Sequence, residues 1–243
     1  MDSLAAFNND AGDDGEVSLR EAISVANNDE SVDIIRLPDG TYDLTNNALT
    51  VEGTYIIQGA DQNTTIINQT EVGERVITMN SGAATITDVT LQGGDSGEEV
   101  SGGGIAVRVD ATAYFETVTF TQNTATSDGG ALYAEGDVEF KNVTITENTA
   151  LQGAGIFVNN TGSLTVYDSD ISNNNAENRA GGIYNEGILN IFGSTISSNQ
   201  VTDETSAGSA GGGLYLVLNS ETYINTTVIS DNVATYSGGG IFN

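Results

Sequence analysis

The chain of 243 residues has neither histidine nor cysteine, so acid–base work falls to its 34 Asp and Glu residues, its tyrosines and six Lys or Arg residues. Paired carboxylates can hydrolyse a glycosidic bond, one donating a proton and the other activating water or attacking directly. Asp168 and Asp170 are the pair to consider first, because strand side chains two residues apart point the same way. Eliminative cleavage of an acidic sugar would instead need a base beside calcium. The six cations, Arg20, Arg36, Arg75, Arg108, Lys141 and Arg179, share no position in the internal repeat and form no clamp. With acids this abundant, close carboxylate pairs arise by chance, so the expectation is a protein that is not an enzyme and has no catalytic residues. Asn8, Asn9, Asp10, Asp13 and Asp14 cluster oxygen ligands of the kind calcium takes. Their spacing fits no EF-hand loop and suits a solvated turn, so no metal or other cofactor is expected, with calcium the one to test.

Two patterns suit binding better than catalysis. Tyr133, Phe157, Tyr184, Tyr215 and Phe242 each follow the aliphatic residue that succeeds a triplet of small residues. If that aliphatic points inward, the aromatic points outward, giving a row of rings able to lie on sugars or on another protein, or simply to cover one another. Thr119 with Thr121, Thr144 with Thr146, Asp170 with Ser172, and Thr195 with Ser197 form a second row. Regular threonines on a flat face suggest ice binding as a minor alternative, but Asp170, Gln92 and Val228 interrupt the row, and threonine is common on exposed strands.

The net charge of −28 would repel nucleic acid and anionic lipid. It suits a medium rich in salt or calcium, and suits plain solubility equally. No apolar run reaches membrane-spanning length, and the start lacks the basic and apolar regions of a signal peptide. The last repeat breaks off at Asn243, so the expectation is a fragment of a longer protein, truncated at its C-terminal end.

The rows depend on what positions them. Ser18 to Asn27, SLREAISVAN, predicts an amphipathic helix: Leu19, Ala22, Ile23 and Ala26 share a face, and Ser18 with Glu21 forms a capping box. A helix this short must lie on something, here the first open end of a sheet stack. From Asp33 onward the chain reads as short alternating strands broken by Gly, Asn and Asp. Small-residue triplets recur at 102–104, 129–131, 153–155, 180–182, 211–213 and 238–240, the spacing of a stacked repeat. Three core columns accompany them: the aliphatics Ile105, Leu132, Ile156, Ile183, Leu214 and Ile241; then Ile86, Phe115, Phe140, Val166, Ile191 and Ile224; and Leu91, Phe120, Ile145, Ile171, Ile196 and Ile229. Asn123, Asn148, Asn174, Asn199 and Asn232 align three residues later and predict an asparagine ladder at a bend, in left-handed conformation.

These columns predict an all-β fold: a right-handed parallel β-helix, a three-sided solenoid of about eight coils with an N-terminal capping helix. Residues 1–32 would form the polar segment and cap, and 33–243 the β-helix. The segment from Gln200 to Ala210 is longer than its equivalents at Thr124 to Asp128 and Thr149 to Gln152, and reads as a loop projecting from one side.

Val17 to Ile23, VSLREAI, followed by DIIRLPDGTYDL and repeats such as GGGIFN, resembles the bacterial right-handed parallel β-helix proteins that open with C-S-L-R-E-A. Val17 stands where they carry cysteine. Phe120 to Asn123, FTQN, with Gly129 to Leu132, GGAL, is similar to the F-x-x-N and G-G-A-[ILV] motifs of chlamydial polymorphic membrane protein passengers. The resemblance implies a secreted or cell-surface protein and no particular activity. The expected function is therefore a rigid stalk or adhesin that contacts a glycan or surface protein, or another copy end to end through the open last coil. Nucleic acid and direct membrane insertion are not expected. A polysaccharide lyase or glycoside hydrolase on the same scaffold is the alternative.

Overall fold

The computed structural model describes residues 17–29, 33–97, 101–203 and 209–243. The acidic cluster proposed for calcium, at Asn8, Asn9, Asp10, Asp13 and Asp14, lies outside them, as does the middle of the Gln200 to Ala210 segment.

The chain winds as a parallel β-solenoid of about seven turns. One side stacks Ile35, Ile57, Ile86, Phe115, Phe140, Val166, Ile191 and Ile224 in register, eight rungs joined by seven steps. On the second side Tyr42, Ile67, Leu91, Phe120, Ile145, Ile171, Ile196 and Ile229 do the same. The third runs from Leu49 through Ile77, Ile105, Leu132, Ile156, Ile183 and Leu214 to Ile241. Most of these side chains are fully buried in one continuous core. Burying a Leu, Ile, Val or Phe side chain is worth about 1.5–3 kcal/mol, and no coil could bury them without its neighbours. Phe115, Phe120 and Phe140 thicken the middle of the core, with centroids 5.3–5.7 Å apart.

A fourth, shorter sheet was not expected. Thr149–Gln152, Asn175–Arg179, Gln200–Val201 and Val233–Ala234 pair in parallel, so Thr149 to Gln152 and the start of Gln200 to Ala210, expected as loops, are strands. Ala125, Ala150, Ala154, Ala176 and Val201 line it with a small core of their own. Only small residues fit there, which obscured the strand pattern in the sequence.

Three columns of left-handed residues turn the chain. Asp88, Thr117, Asn142, Asp168, Gly193 and Thr226 make the first; Gly93, Gln122, Glu147, Asn173, Ser198 and Asp231 the second; Gly102, Gly129, Gly153, Ala180, Gly211 and Gly238 the third. The second lies one residue before the ladder asparagines, so the left-handed conformation expected of those asparagines belongs to their predecessors. The asparagines themselves point inward. Asn174 Oδ1 accepts from the Asn148 backbone N–H at 3.1 Å and from Asn148 Nδ2 at 2.9 Å, and the pattern repeats from Asn123 to Asn232. The ladder thus satisfies backbone donors that the corner would otherwise strand. At Gly103 the constraint is space: a Cβ would fall 2.2 Å from the Thr124 carbonyl oxygen of the next coil.

The helix α1, Leu19–Ala26, forms as expected, with the Ser18–Glu21 capping box closed from both sides. It is fastened at each end. Arg20 donates to the carbonyls of Asn46, Asn47 and Ala48, while Asn27 Oδ1 accepts from Glu52 N, Gly53 N and the Tyr55 hydroxyl. Leu19, Ala22, Ile23 and Ala26 join the main core, so α1 covers the first coil.

Candidate functional site

Asp168 and Asp170 do not form the pair that strand alternation suggested. Asp168 occupies the left-handed corner after Ser163–Tyr167, and Asp170 begins the strand on the next side. Both are exposed, with the buried Ser169 between them. The threonine row is in register on the second side, but Ser172 is buried and Thr144 and Thr146 are half-buried, so the row is not a fully open face.

The aromatic column is present, with its rings outside the main core as alternation requires. They stack on one another: Tyr133 on Phe157 at 5.5 Å, Phe157 on Tyr184 at 4.7 Å, Tyr184 on Tyr215 at 5.0 Å and Tyr215 on Phe242 at 4.9 Å, with interplanar angles of 3–23°. Phe157 and Tyr184 are only 5% and 6% exposed. Stacking covers the ring faces, and packing against Ala180 and Val217 covers more of the column. The rings give their faces to each other, and with the columns beside them they make up one strip, the trough, in which Phe157 and Tyr184 keep almost no open surface.

One wall is the residue just before each triplet. Ser101, Asp128, Gln152, Arg179, Ala210 and Ser237 stand in register, one per coil. Hydrogen bonds run up it: Ser101 Oγ to Asp128 Oδ2 at 3.4 Å, Gln152 Nε2 to Asp128 Oδ1 at 3.2 Å, and Arg179 Nη1 to Gln152 Oε1 at 3.4 Å. The other wall lies two residues beyond each outward position: Arg108, Glu135, Asn159, Glu186 and Val217. Arg108 pairs with Glu135 at 3.3 Å, and Asn159 Nδ2 donates to the Tyr133 hydroxyl at 3.0 Å. From Ser101 to Arg179 and from Arg108 to Glu186 all these wall residues are half-buried, and beyond them the walls become Ala210 and Val217.

The walls interact electrostatically across the floor. Burial raises the Asp128 carboxyl above its ordinary range, against the hydrogen bonds of Ser127, Ser101 and Gln152. Burial also raises Glu186, and the charge of Asp128 raises it further. The Tyr133 hydroxyl is raised first by burial, then by Glu135, and the Tyr184 hydroxyl first by burial, then by Glu186. The Arg179 guanidinium lies 5.4 Å from the Tyr215 ring centroid, and its buried Nε has no hydrogen-bond partner. The trough thus gathers half-buried carboxylates, amides and guanidinium groups, a set able to give and accept hydrogen bonds. Among the described residues no group of three or more Asp or Glu is arranged to hold a metal ion.

Neither wall was singled out in the sequence, although each keeps a fixed offset from the triplets. Its residues differ in chemistry from coil to coil, so no residue type recurs to mark the column.

The sequence pattern of the right-handed β-helix region family matches residues 75–243. The chain belongs to that family. No curated protein matches the sequence of this β-helix. Among solved structures it is similar to a pectin methylesterase mutant in complex with hexasaccharide IV, with 13% identity, a TM-score of 0.51, and coverage of 86% of this chain and 77% of the other. At that identity the likeness concerns the fold. No helix among the described residues is long and apolar enough to cross a membrane.

Proposed function

We propose that this β-helix is a rigid segment of a secreted or cell-surface protein that works by contact rather than catalysis, and that the trough is its contact surface. The observation that carries this reading is the trough itself: a column of stacked, nearly buried rings held between two columns of half-buried polar side chains. Its two arginines are already engaged, Arg108 with Glu135 and Arg179 with Gln152, which suits recognition better than proton removal. The VSLREAI opening, through its resemblance, favours surface location. Retention on immobilised polysaccharides and on bacterial or host cell surfaces tests the reading. Asp128→Asn/Glu186→Gln should reduce retention, whereas Tyr167→Ala/Tyr223→Ala on another side should not. Equal retention of both variants and the parent would overturn the reading.

One observation favours the carbohydrate-active alternative. Burial raises both Asp128 and Glu186, and the charge of Asp128 raises Glu186 further, which suits Glu186 as an acid and Asp128 as a base. The fold likeness to a pectin methylesterase is compatible with it. Release of reducing ends or of methanol from polysaccharide, abolished by Glu186→Gln, would establish that alternative.

A further inference from the structure

We infer that the chain's own N-terminal segment closes an open strand edge at the helix end of the solenoid: Leu4 to Phe7 lies in the cleft between α1 and Gly40–Leu44, pairs with the outer edge of that strand, and turns Phe7 into the cleft.

The open edge can be followed bond by bond. Gly40 N donates to the Thr64 carbonyl, and the Leu44 carbonyl accepts from Thr70 N, so Gly40, Tyr42 and Leu44 face the strand Thr65–Gln69. Along a parallel strand the residues between them face the other way. Thr41 and Asp43 therefore aim their N–H and C=O groups off the end of the stack. Among the described residues no strand pairs with that edge. The helix does not serve it either, because α1 lies over Asp33–Leu37 and Leu49–Val51, the first-coil strands of the other two sides. An uncovered edge is a template for another chain, and folded proteins cover or block it.

Beside this edge is a cleft of about 380 Å³ lined by Val17, Leu19, Arg20, Tyr42, Leu44 and Asn46. Its inner side is not closed: Tyr42 is half-buried, whereas Ile67, Leu91 and the rest of that column through Ile196 are fully buried. Arg20 is already held by three backbone carbonyls. The cleft thus offers an incoming chain apolar side chains and a strand edge rather than a charge.

The length and composition of residues 1–16, which lie outside the described residues, fit this place. They lead directly into Val17, which lines the cleft, and Leu4 to Phe7, LAAF, is their only run of apolar residues. Asn8 to Glu16, NNDAGDDGE, carries the Gly, Asn and Asp that reverse a chain, and a stretch of that length can span up to about 30 Å. Tethering makes the encounter intramolecular, at an effective concentration of about millimolar. A second copy would instead set one net charge of −28 against another and bear the full cost of association. Phe7 has the largest side chain of the run, so turning it inward buries the most apolar surface.

The chain has no tryptophan, which makes Phe7→Trp a single fluorescent reporter. The expected emission is blue-shifted from that of the urea-unfolded chain, with acrylamide quenching several-fold weaker, and neither changes on dilution. Adding Tyr42→Glu, with folding checked by circular dichroism, should return both to the unfolded values. Hydrogen exchange reads the edge independently: the Thr41 and Asp43 amides should be protected in the parent and exchange about ten-fold faster or more in a variant lacking residues 2–8, while the Tyr42 amide is unchanged. A solvent-exposed reporter, or Thr41 and Asp43 amides that exchange freely in the parent, would overturn the inference. A blue shift that disappears on dilution would assign the edge to a second copy and overturn it as well.

Discussion

Replacing Asn174 by alanine isolates the contribution of the buried ladder. Its Oδ1 accepts from the Asn148 backbone N–H and also takes a bond from Asn148 Nδ2. Its Nδ2 donates to the carbonyls of Ile145 and Ser172 and to Asn199 Oδ1. Alanine strands the Asn148 N–H where water does not reach, at about 1–3 kcal/mol, and forfeits four further bonds at about 1 kcal/mol each, so the total is about 5–7 kcal/mol. Asn232→Ala removes the same acceptor from the Asn199 N–H, but on a partly exposed rung. There water can replace the amide, and the cost should be about 1 kcal/mol. Urea unfolding of both variants at matched m-values measures the difference, and hydrogen exchange of the Asn148 amide should accelerate in Asn174→Ala alone. If Asn174→Ala costs no more than Asn232→Ala, the ladder does not stabilise by satisfying buried backbone.

Three further outcomes follow from the same geometry. Ala180→Gly should raise stability by about 0.5–1 kcal/mol, because Ala180 holds a φ of 53° in a column otherwise made of glycine, and relief of left-handed strain exceeds glycine's added chain entropy; urea unfolding reads it. Phe157→Ala should cost about 3 kcal/mol, since the ring is buried between Tyr133 and Tyr184, and it should loosen both tyrosines as seen by near-ultraviolet circular dichroism. Glu186→Gln should raise Tm at neutral pH. The folded-state pKa of Glu186 lies above its unfolded value, so its charged form opposes folding at pH above the folded pKa. That penalty disappears as pH falls below the unfolded value, and the melting curves of parent and variant should converge there.

Much of the solenoid was legible because its constraints repeat. One coil must place an aliphatic above the same aliphatic of the next, so Ile156, Ile183 and Leu214 reveal by alignment what none reveals alone. The asparagine ladder was legible for the same reason, though the left-handed conformation expected of it belongs to the residue before each asparagine. A buried amide bonding its neighbour's backbone and a left-handed asparagine leave the same letter in the sequence. The trough was only half legible. Its ring column recurs, but its walls run Ser, Asp, Gln, Arg on one side and Arg, Glu, Asn, Glu on the other, with nothing periodic to find. Asp168 and Asp170 misled because alternation holds only inside a strand, and the chain turns a corner between them.

The sequence by itself determined the winding: periodic glycines, aliphatics and asparagines can be satisfied together only when copies stack, and the capping box with its apolar stripe determined where the stack is covered. Tertiary structure alone decided the surface. Whether an outward residue meets solvent or a wall depends on how neighbouring sides are angled, a property of the corners rather than of any strand. That angle buries Phe157 and Tyr184 and brings Asp128 within electrostatic range of Glu186, residues from separate coils that no spacing in the chain connects.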